Sequence, residues 1–207
     1  MNYQLYLVTN RYHFSDDQFL NKIDQACAAG VTLVQLREKE VTTRRYYELA
    51  RKVKIITDYY HLPLIIDDRI DICQAIDAAG VHIGDAELPV TIARRILGTH
   101  KILGVSAKTP AAAQAAMRAG ADYLGVGAIY PTTTKVITQL TSIDTLIAIT
   151  NTVTIPVVAI GGITDQRLVD LNGIKLAGVA MISEIMQAEN ITAKVKTLKR
   201  HLKEVGH

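Results

Sequence analysis

Eight short apolar runs alternate along the chain with longer amphipathic stretches. The runs are rich in Val, Ile and Leu over nearly their whole length, which is typical of strands buried on both faces of a parallel sheet. They cover residues 4–9, 32–37, 63–67, 80–84, 102–107, 123–129, 156–162 and 178–183. Eight alternating strand–helix units predict an α/β protein with one (β/α)8 TIM-barrel domain over residues 1–207, and a doubly wound open sheet is the structural alternative.

The stretches between the runs carry helix signals. Ser15 and Gly30 stand where an N-cap and a left-handed C-terminal residue are expected for the helix after the first strand. Further helices are predicted over residues 42–60, over the Ala-rich segment 109–120 and over the amphipathic segment 190–206. No segment has the composition of a linker or a low-complexity region, so one domain is expected.

Composition narrows the classes of partner. Hydrophobic residues make up 49% of the chain, which allows a large core, and the formal net charge is only +3 without a block of Lys or Arg, so nucleic acid is not an expected partner. No apolar stretch reaches the roughly 18 residues that a membrane span needs, and the N-terminus lacks a signal-peptide pattern. Cys27 and Cys73 lack metal-ligand spacing and are expected to be free thiols of a cytoplasmic protein. Whether the chain forms a homo-oligomer stays open.

Polar residues gather where the predicted strands end, which is where barrel enzymes carry their active sites. At the end of the second strand, Gln35, Arg37 and Lys39 are spaced by two, so an extended chain presents them on one face. Two cations and an amide on one face predict an anion clamp. Salt bridges to Glu38 or Glu40 at a solvated strand end are the alternative.

Acidic residues follow the third and fourth predicted strands. Asp67 and Asp68 end the third, and Asp85 and Glu87 follow the fourth. Hard carboxylate oxygens suit Mg2+, so acids on neighbouring strands can share one ion with a phosphorylated substrate. The alternative for the two adjacent aspartates is N-capping of the next helix.

The fifth and sixth predicted strands end in hydroxyls and amines. Ser106 and Lys108 follow the fifth, and the segment "GAIYPTTTK" at residues 127–135 follows the sixth. A loop of Thr and Lys can close over a phosphate, and an ordinary Pro-initiated turn is the alternative. His82, inside the fourth strand, is interpreted as a hydrogen-bonded core residue.

The seventh and eighth predicted strands indicate a phosphate site. Gly161 and Gly162 allow a ligand to approach the backbone, and a helix is expected to start near Thr164. Ser183 stands at another expected helix start, and paired helix N-termini after the last two strands form the usual barrel phosphate site. Two anion sites indicate two phosphorylated substrates, or one substrate with two charged ends.

Eight blocks of the sequence stand in the order of a known family. They are "YLVT", "GVTLVQLREK", "LIIDDR", "GVHIGDAELP", "LGVSAKT", "GADYLGVGAIYPTTTK", "PVVAIGGIT" and "GVAMISEI". Together they resemble the thiamine-phosphate synthase family over nearly the whole chain. The resemblance implies a (β/α)8 transferase that condenses hydroxymethylpyrimidine diphosphate with a thiazole phosphate or its carboxylate, releases diphosphate and uses Mg2+ as cofactor.

The resemblance also implies roles for individual residues. Those implied to hold the pyrimidine diphosphate are Gln35, Arg37, Lys39, Asp67, Ser106 and Lys135, and the implied Mg2+ ligands are Asp68 and Glu87. Those implied to contact the thiazole phosphate are Thr132, Thr133, Thr134, Gly162, Ile182 and Ser183. The implied mechanism is dissociative, and Arg37, Lys39 and Lys135 are its catalytic residues because they neutralise the leaving diphosphate.

The chain departs from the family pattern in three places. Asp67 stands where the family usually has Asn, with either a metal or Arg69 to offset its charge, and Glu87 replaces an Asp. The segment after Lys135, "VITQLTSID", is short and apolar where the family has a charged loop. Two alternatives therefore stay open: the sister thiazole tautomerase, which uses a His at the position of Lys108, and a non-catalytic barrel that binds phosphorylated thiamine precursors.

Overall fold

Eight parallel strands form a closed barrel in which each strand pairs with the next along the chain and the last pairs with the first. The computed structural model describes residues 1–132 and 139–206. The strands are β1 (Leu5–Val8), β2 (Leu33–Leu36), β3 (Leu64–Asp67), β4 (Gly80–Ile83), β5 (Ile102–Ala107), β6 (Tyr123–Val126), β7 (Val157–Ile160) and β8 (Gly178–Met181). The predicted (β/α)8 barrel is confirmed, and the open-sheet alternative is wrong because the β1–β8 ladder closes the sheet.

Most strands end earlier than the apolar runs predicted. The run over 156–162 ends as a strand at Ile160, because Gly161 and Gly162 take positive φ values of 98° and 64°. A strand cannot continue through that left-handed backbone. Residues that the sequence placed in the last positions of strands therefore belong to loops at the C-terminal face of the barrel, where they can surround a ligand.

Helices fill the connections between the strands. They are α1 (Asp16–Ala29), α2 (Thr43–Tyr59), α3 (Ile70–Ala75), α4 (Val90–Leu97), α5 (Pro110–Arg118), α6 (Ile143–Thr152), a 3-10 helix (Asp165–Leu171), α7 (Ser183–Met186) and α8 (Ile191–Glu204). The predicted caps of α1 are confirmed: Ser15 forms a capping box with Gln18, and Gly30 closes the helix at a φ of 106°. Among residues 1–132 and 139–206, no helix combines the length and apolarity that a membrane span needs.

The side chains of the strands separate into two layers. Along β1, Leu5 and Leu7 belong to the large aliphatic layer between the barrel and the helices, and Tyr6 and Val8 belong to a smaller cluster inside the barrel. This alternation follows from the period of two along a strand. The outer layer supplies the main hydrophobic core, which leaves the interior of the barrel free to carry aromatic and polar side chains.

The two cysteines lie in the outer layer. Cys27 on α1 and Cys73 on α3 are both buried and unpaired, as the sequence predicted. Burial raises the pKa of the Cys27 thiol to about 12 and that of the Cys73 thiol to about 11. Both thiols are therefore protonated packing groups rather than nucleophiles.

Candidate active site

A cavity of about 440 Å³ opens at the C-terminal ends of the strands, and all eight strands contribute to its lining. The predicted site residues that line it are Gln35, Arg37, Lys39, Asp67, Asp68, Glu87, Ser106, Thr132, Gly162, Ile182 and Ser183. Thr133, Thr134 and Lys135 lie outside the described residues. The fold thus brings every described member of the predicted set to one cavity, and their individual roles stay predictions.

The cations that follow β2 form one wall of the cavity. Arg37 donates from Nη1 to Asn10 Oδ1 at 3.0 Å, and its Nε lies 3.9 Å from Asp67 Oδ2. The alternative in which these cations pair with Glu38 is wrong, because Glu38 is buried and accepts from Arg11 at 3.3 Å. Asn10 and Asp67 therefore hold the guanidinium of Arg37 at the surface of the cavity.

Lys39 lies between the two aspartates that follow β3. Its Nζ is 2.7 Å from Asp67 Oδ2 and also forms an ion pair with Asp68. The expected partnership of Asp67 with Arg69 is wrong, because Arg69 Nε donates to Asp71 Oδ1 at 2.9 Å. We call Arg37, Lys39, Asp67 and Asp68 the side-chain wall.

A change of backbone direction brings both aspartates to the cavity. Asp67 is the last residue of β3, and Asp68 takes a left-handed φ of 61° while its N–H donates to His82 O at 2.8 Å. A regular strand would have pointed the two side chains to opposite faces. The capping alternative is wrong as well, since the N-cap position of α3 is Arg69 and no side-chain hydrogen bond caps that helix.

Burial dominates the electrostatics of Asp67. It raises the pKa of the carboxyl to about 6, against the opposing charge of Lys39. Burial lowers the pKa of Lys39, but the charge and hydrogen bonding of Asp67, together with Asp68, outweigh this and raise it. Asp67 Oδ2 is buried, and its close described partners are the ammonium of Lys39 at 2.7 Å and the guanidinium of Arg37 at 3.9 Å.

This donor set fits a hard divalent cation. Asp67 Oδ2 is a buried carboxylate oxygen next to the Asp68 carboxylate, and the ammonium of Lys39 already occupies a cation position between them. Glu87 is exposed and lines the same cavity. Within the described parts of the chain, His, Cys, Asp and Glu form no group of three that could hold a metal. Mg2+ needs no such cage, because it commonly binds through one or two carboxylates, waters and substrate phosphates.

Glycine backbone forms a second wall, after β7. A Cβ at Gly162 would lie 2.6 Å from Pro131 O and 2.7 Å from Tyr130 O, so no larger residue fits there without a shift. The helix expected near Thr164 is a 3-10 helix, and the helix that starts at Ser183 has only four residues. The two helices predicted to bind phosphate at their N-termini are therefore short, and this wall is formed mainly by close-packed backbone.

Arg167 holds the glycine backbone in place, a contact that was not predicted from the sequence. Its Nη1 donates to Gly162 O at 2.7 Å, and its guanidinium stacks over the Tyr130 ring with 4.6 Å to the centroid. Tyr130 in turn donates to Asp170 Oδ2 at 2.7 Å. We call Gly161, Gly162, Tyr130 and Arg167 the glycine wall. Arg167 gave no signal in the sequence, because it follows the "GGIT" motif within a stretch read only as a helix start.

A hydrogen-bonded row of side chains crosses the floor of the cavity. We call the row the floor chain, and its members in spatial order are Gln35, Tyr6, Tyr123, His82 and Ser106. The prediction that His82 is hydrogen-bonded is confirmed, but His82 also lines the cavity. Burial lowers its pKa to about 4, so the imidazole is neutral at pH 7. Tyr6 and Tyr123 were not predicted as site residues, since in the sequence each resembles one more apolar strand residue.

The closed (β/α)8 barrel and the charged, glycine-rich cavity at the C-terminal ends of its strands place this chain in the class of barrel enzymes. The model of the thiamine monophosphate synthase family matches residues 5–185. The chain belongs to this family, and the resemblance predicted from the sequence is confirmed. It is an enzyme of the transferase class, as its named relatives are.

Similarity to named proteins extends over almost the whole chain. A thiamine-phosphate synthase of Enterococcus faecalis is 62% identical over 197 residues, which is 95% of this chain and 93% of the relative. Thiamine-phosphate synthase 2 of Streptococcus pneumoniae is 57% identical over 202 residues, covering 98% and 96%. The solved thiamine phosphate pyrophosphorylase of Pyrococcus furiosus superposes with a TM-score of 0.90 at 32% identity, covering 100% of this chain and 98% of that one.

Proposed function

We propose that this chain joins hydroxymethylpyrimidine diphosphate to a thiazole phosphate or its carboxylate, giving thiamine phosphate and diphosphate, with CO2 as a further product from the carboxylate. One observation carries the proposal: a single cavity has a wall of charged side chains and a wall of close-packed glycine backbone. Two phosphorylated substrates need two anion sites that share one space. The names of the relatives support the same reaction.

The side-chain wall would hold the diphosphate. Arg37 and Lys39 line the cavity and carry fixed positive charge, and a guanidinium can bind two phosphate oxygens at once. Lys39 is committed to Asp67 and Asp68 in the structure. A cation bound by the two carboxylates would displace the ammonium of Lys39, which could then contact the diphosphate.

Mg2+ is the cation that we assign to this wall. Asp67 and Asp68 would hold it directly, and Glu87 would reach it through water or directly, since its exposed side chain lines the same cavity. The ion would supply charge neutralisation on the diphosphate oxygens. The carboxylate of Asp67, where the family usually has an amide, then serves the cation and does not oppose the diphosphate.

The chemistry asks for little proton transfer. In a dissociative substitution the bond from the pyrimidine methylene carbon to the diphosphate oxygen breaks, and the diphosphate takes the electron pair. The thiazole nitrogen then gives its lone pair to the methylene carbon. Arg37, Lys39 and Lys135 would stabilise the negative charge that collects on the leaving group. The glycine wall would hold the thiazole phosphate, with Thr132, Ile182 and Ser183 beside it.

The deciding experiment supplies both phosphorylated halves and Mg2+ to the purified chain. We expect diphosphate release and thiamine phosphate formation in equal amounts, and neither product when one half or Mg2+ is omitted. Binding of both halves without product would favour the non-catalytic alternative, and conversion of the thiazole half alone would favour the tautomerase.

A further inference from the structure

The floor chain joins five strands through four hydrogen bonds. Gln35 Nε2 donates to the Tyr6 hydroxyl at 2.7 Å, and the Tyr6 and Tyr123 hydroxyls are 2.9 Å apart. The Tyr123 hydroxyl is 3.0 Å from His82 Nδ1, and His82 Nε2 is 3.1 Å from Ser106 Oγ. Both ends of the chain, Gln35 and Ser106, line the cavity.

The strands are built around this chain. Gly104 and Gly125 occupy interior positions of β5 and β6, where glycine ordinarily weakens a strand. A Cβ at Gly104 would lie 2.2 Å from the Tyr123 ring, and a Cβ at Gly125 would lie 2.9 Å from the His82 ring. The two glycines therefore provide the space in which Tyr123 and His82 cross the barrel.

Counting hydrogens gives the chain one direction. Each phenol has a single hydrogen, and a neutral imidazole has a single N–H. Because Tyr6 accepts from Gln35 and is buried, its own hydrogen can be paired only by donation to Tyr123. Tyr123 then donates to His82 Nδ1. The opposite order would leave the Tyr6 hydrogen buried and unpaired, which is unfavourable for a polar group removed from water.

This direction fixes the two ends. With Nδ1 accepting, the His82 proton lies on Nε2 and is donated to Ser106 Oγ. The hydroxyl hydrogen of Ser106 is then left to point at a ligand. Gln35 uses its amide nitrogen in the chain and offers its amide oxygen. The cavity floor therefore presents a donor at Ser106 and an acceptor at Gln35.

We propose that Tyr6, Tyr123 and His82 are positioning residues. They hold Ser106 as a hydrogen-bond donor to the diphosphate of hydroxymethylpyrimidine diphosphate. They also hold Gln35 as an acceptor for an N–H group on the pyrimidine ring of the same substrate. The inference rests on the proposed function. A donor fixed before the reaction strengthens its hydrogen bond as the leaving group gains charge, and needs no reorientation at that moment. The selected ligand has an anionic acceptor near Ser106 and an amino-substituted heterocycle near Gln35.

The His82 tautomer tests the direction without any substrate. We expect the 15N spectrum of the full chain labelled at histidine to show His82 protonated at Nε2 and unprotonated at Nδ1 at pH 7, with the signal assigned by its loss in His82→Asn. A proton on Nδ1, or on both nitrogens, would overturn the proposal, because Ser106 would then face the ligand differently.

Kinetics of paired variants test the consequence. Tyr123→Phe removes the donor to His82, so we expect a mixture of His82 tautomers and a roughly 10- to 100-fold lower kcat/KM, mainly through kcat. Tyr3→Phe is the matched control: its ring lies 5.0 Å from that of Tyr123 and its hydroxyl is not in the chain. Equal kinetics of the two variants would refute the positioning role.

Two further measurements keep the test decisive. If Tyr123→Phe does not fold, Tyr6→Phe breaks the chain one bond further from His82, and we expect a smaller loss of kcat with the Nε2 tautomer partly retained. A wild-type chain that shows the Nε2 tautomer but releases no diphosphate would refute the proposed function and, with it, the role in turnover, while the direction of the chain would stand.

Discussion

The side-chain wall and the glycine wall prepare the same cavity for phosphate by different means. The first uses ionised groups, with Lys39 between Asp67 and Asp68 and Arg37 beside them. The second uses backbone that packs too closely for a side chain, as at Gly162, and one guanidinium that holds it in place. The ion pairs of the side-chain wall can open when a cation or a substrate binds, whereas the backbone conformation of the glycine wall stays the same.

Substitutions should therefore affect the two walls differently. Ionised side chains depend on pH and on bound cations, so substitutions there should change binding and turnover more than folding. A backbone site depends on the conformation of a few residues, so a substitution should damage activity and stability together. Four variants separate the two walls, and Gly162→Ala should have the strongest effect.

Gly162→Ala should cause the greatest loss. The new Cβ would lie 2.6 Å from Pro131 O at a φ of 64°, so we expect activity to fall at least roughly 100-fold and the free energy of unfolding to fall by about 2–4 kcal/mol. Enzyme assays and urea denaturation measure the two effects. Gly173→Ala is the control, because its φ of 76° is also left-handed but its Cβ would meet no atom within 4 Å. Equal losses in both variants would show that backbone strain alone, without the close packing, explains the effect.

Lys39→Met should reduce turnover without a comparable loss of stability. It removes the ammonium that faces the diphosphate, and we expect kcat/KM to fall roughly 10- to 100-fold. The pair that it forms with Asp67 and Asp68 is half exposed on the lysine side, so its loss should lower the unfolding free energy by only about 1 kcal/mol. Lys52→Met, on the exposed face of α2, should change neither quantity. A stability loss as large as that of Gly162→Ala would contradict the proposed difference between the walls.

Arg167→Met should have a moderate effect on the glycine wall. Loss of the 2.7 Å hydrogen bond to Gly162 O removes about 1 kcal/mol of the free energy that holds this backbone in place. This corresponds to a roughly fivefold lower kcat/KM for the thiazole phosphate. The KM for the pyrimidine diphosphate should not change. Arg118→Met, at an exposed arginine of α5, serves as the control. A change confined to the pyrimidine substrate would place Arg167 at the wrong wall.

Asp67→Asn should have the smallest effect on turnover and a diagnostic effect of pH on stability. The carboxyl pKa is raised from 3.8 to about 6, chiefly by burial, so the folded wild type binds the proton more tightly and loses stability as the pH rises through this range. Between pH 4 and pH 7 the difference in unfolding free energy should shift on the order of 1–3 kcal/mol in favour of the Asn variant.

Urea denaturation at pH 4, 5.5 and 7 measures that shift, and the same series on Glu48→Gln, at an exposed site within α2, serves as the control. Activity at pH 7 should be kept or raised, because Asn is the usual family residue and its amide oxygen can still face the cation. Loss of activity with an intact fold would show that the cation needs the charge of the Asp67 carboxylate and not only an oxygen ligand.

Much of the barrel was predictable from local patterns. The apolar runs marked all eight strands, and Ser15 and Gly30 marked the ends of α1, because strand burial and helix capping depend on residues close in sequence. Gln35 of the clamp was predictable for the same reason, since it lies within β2, whereas Arg37 and Lys39 follow the end of the strand and still line the cavity. The partner of Asp67 was not: Lys39 and Arg69 are both near in space or in sequence, and only the left-handed turn at Asp68 decides which one meets it.

Motifs and periodicities within short segments were enough to predict the family, the barrel and most of the residues that reach the cavity. The pairing of Lys39 with two carboxylates, the hydrogen bond from Arg167 to Gly162 and the row from Gln35 to Ser106 depend instead on the folded barrel. These contacts join residues 5 to 117 positions apart. Their hydrogen bonds are set by the closure and stagger of the barrel, which no single stretch of sequence encodes.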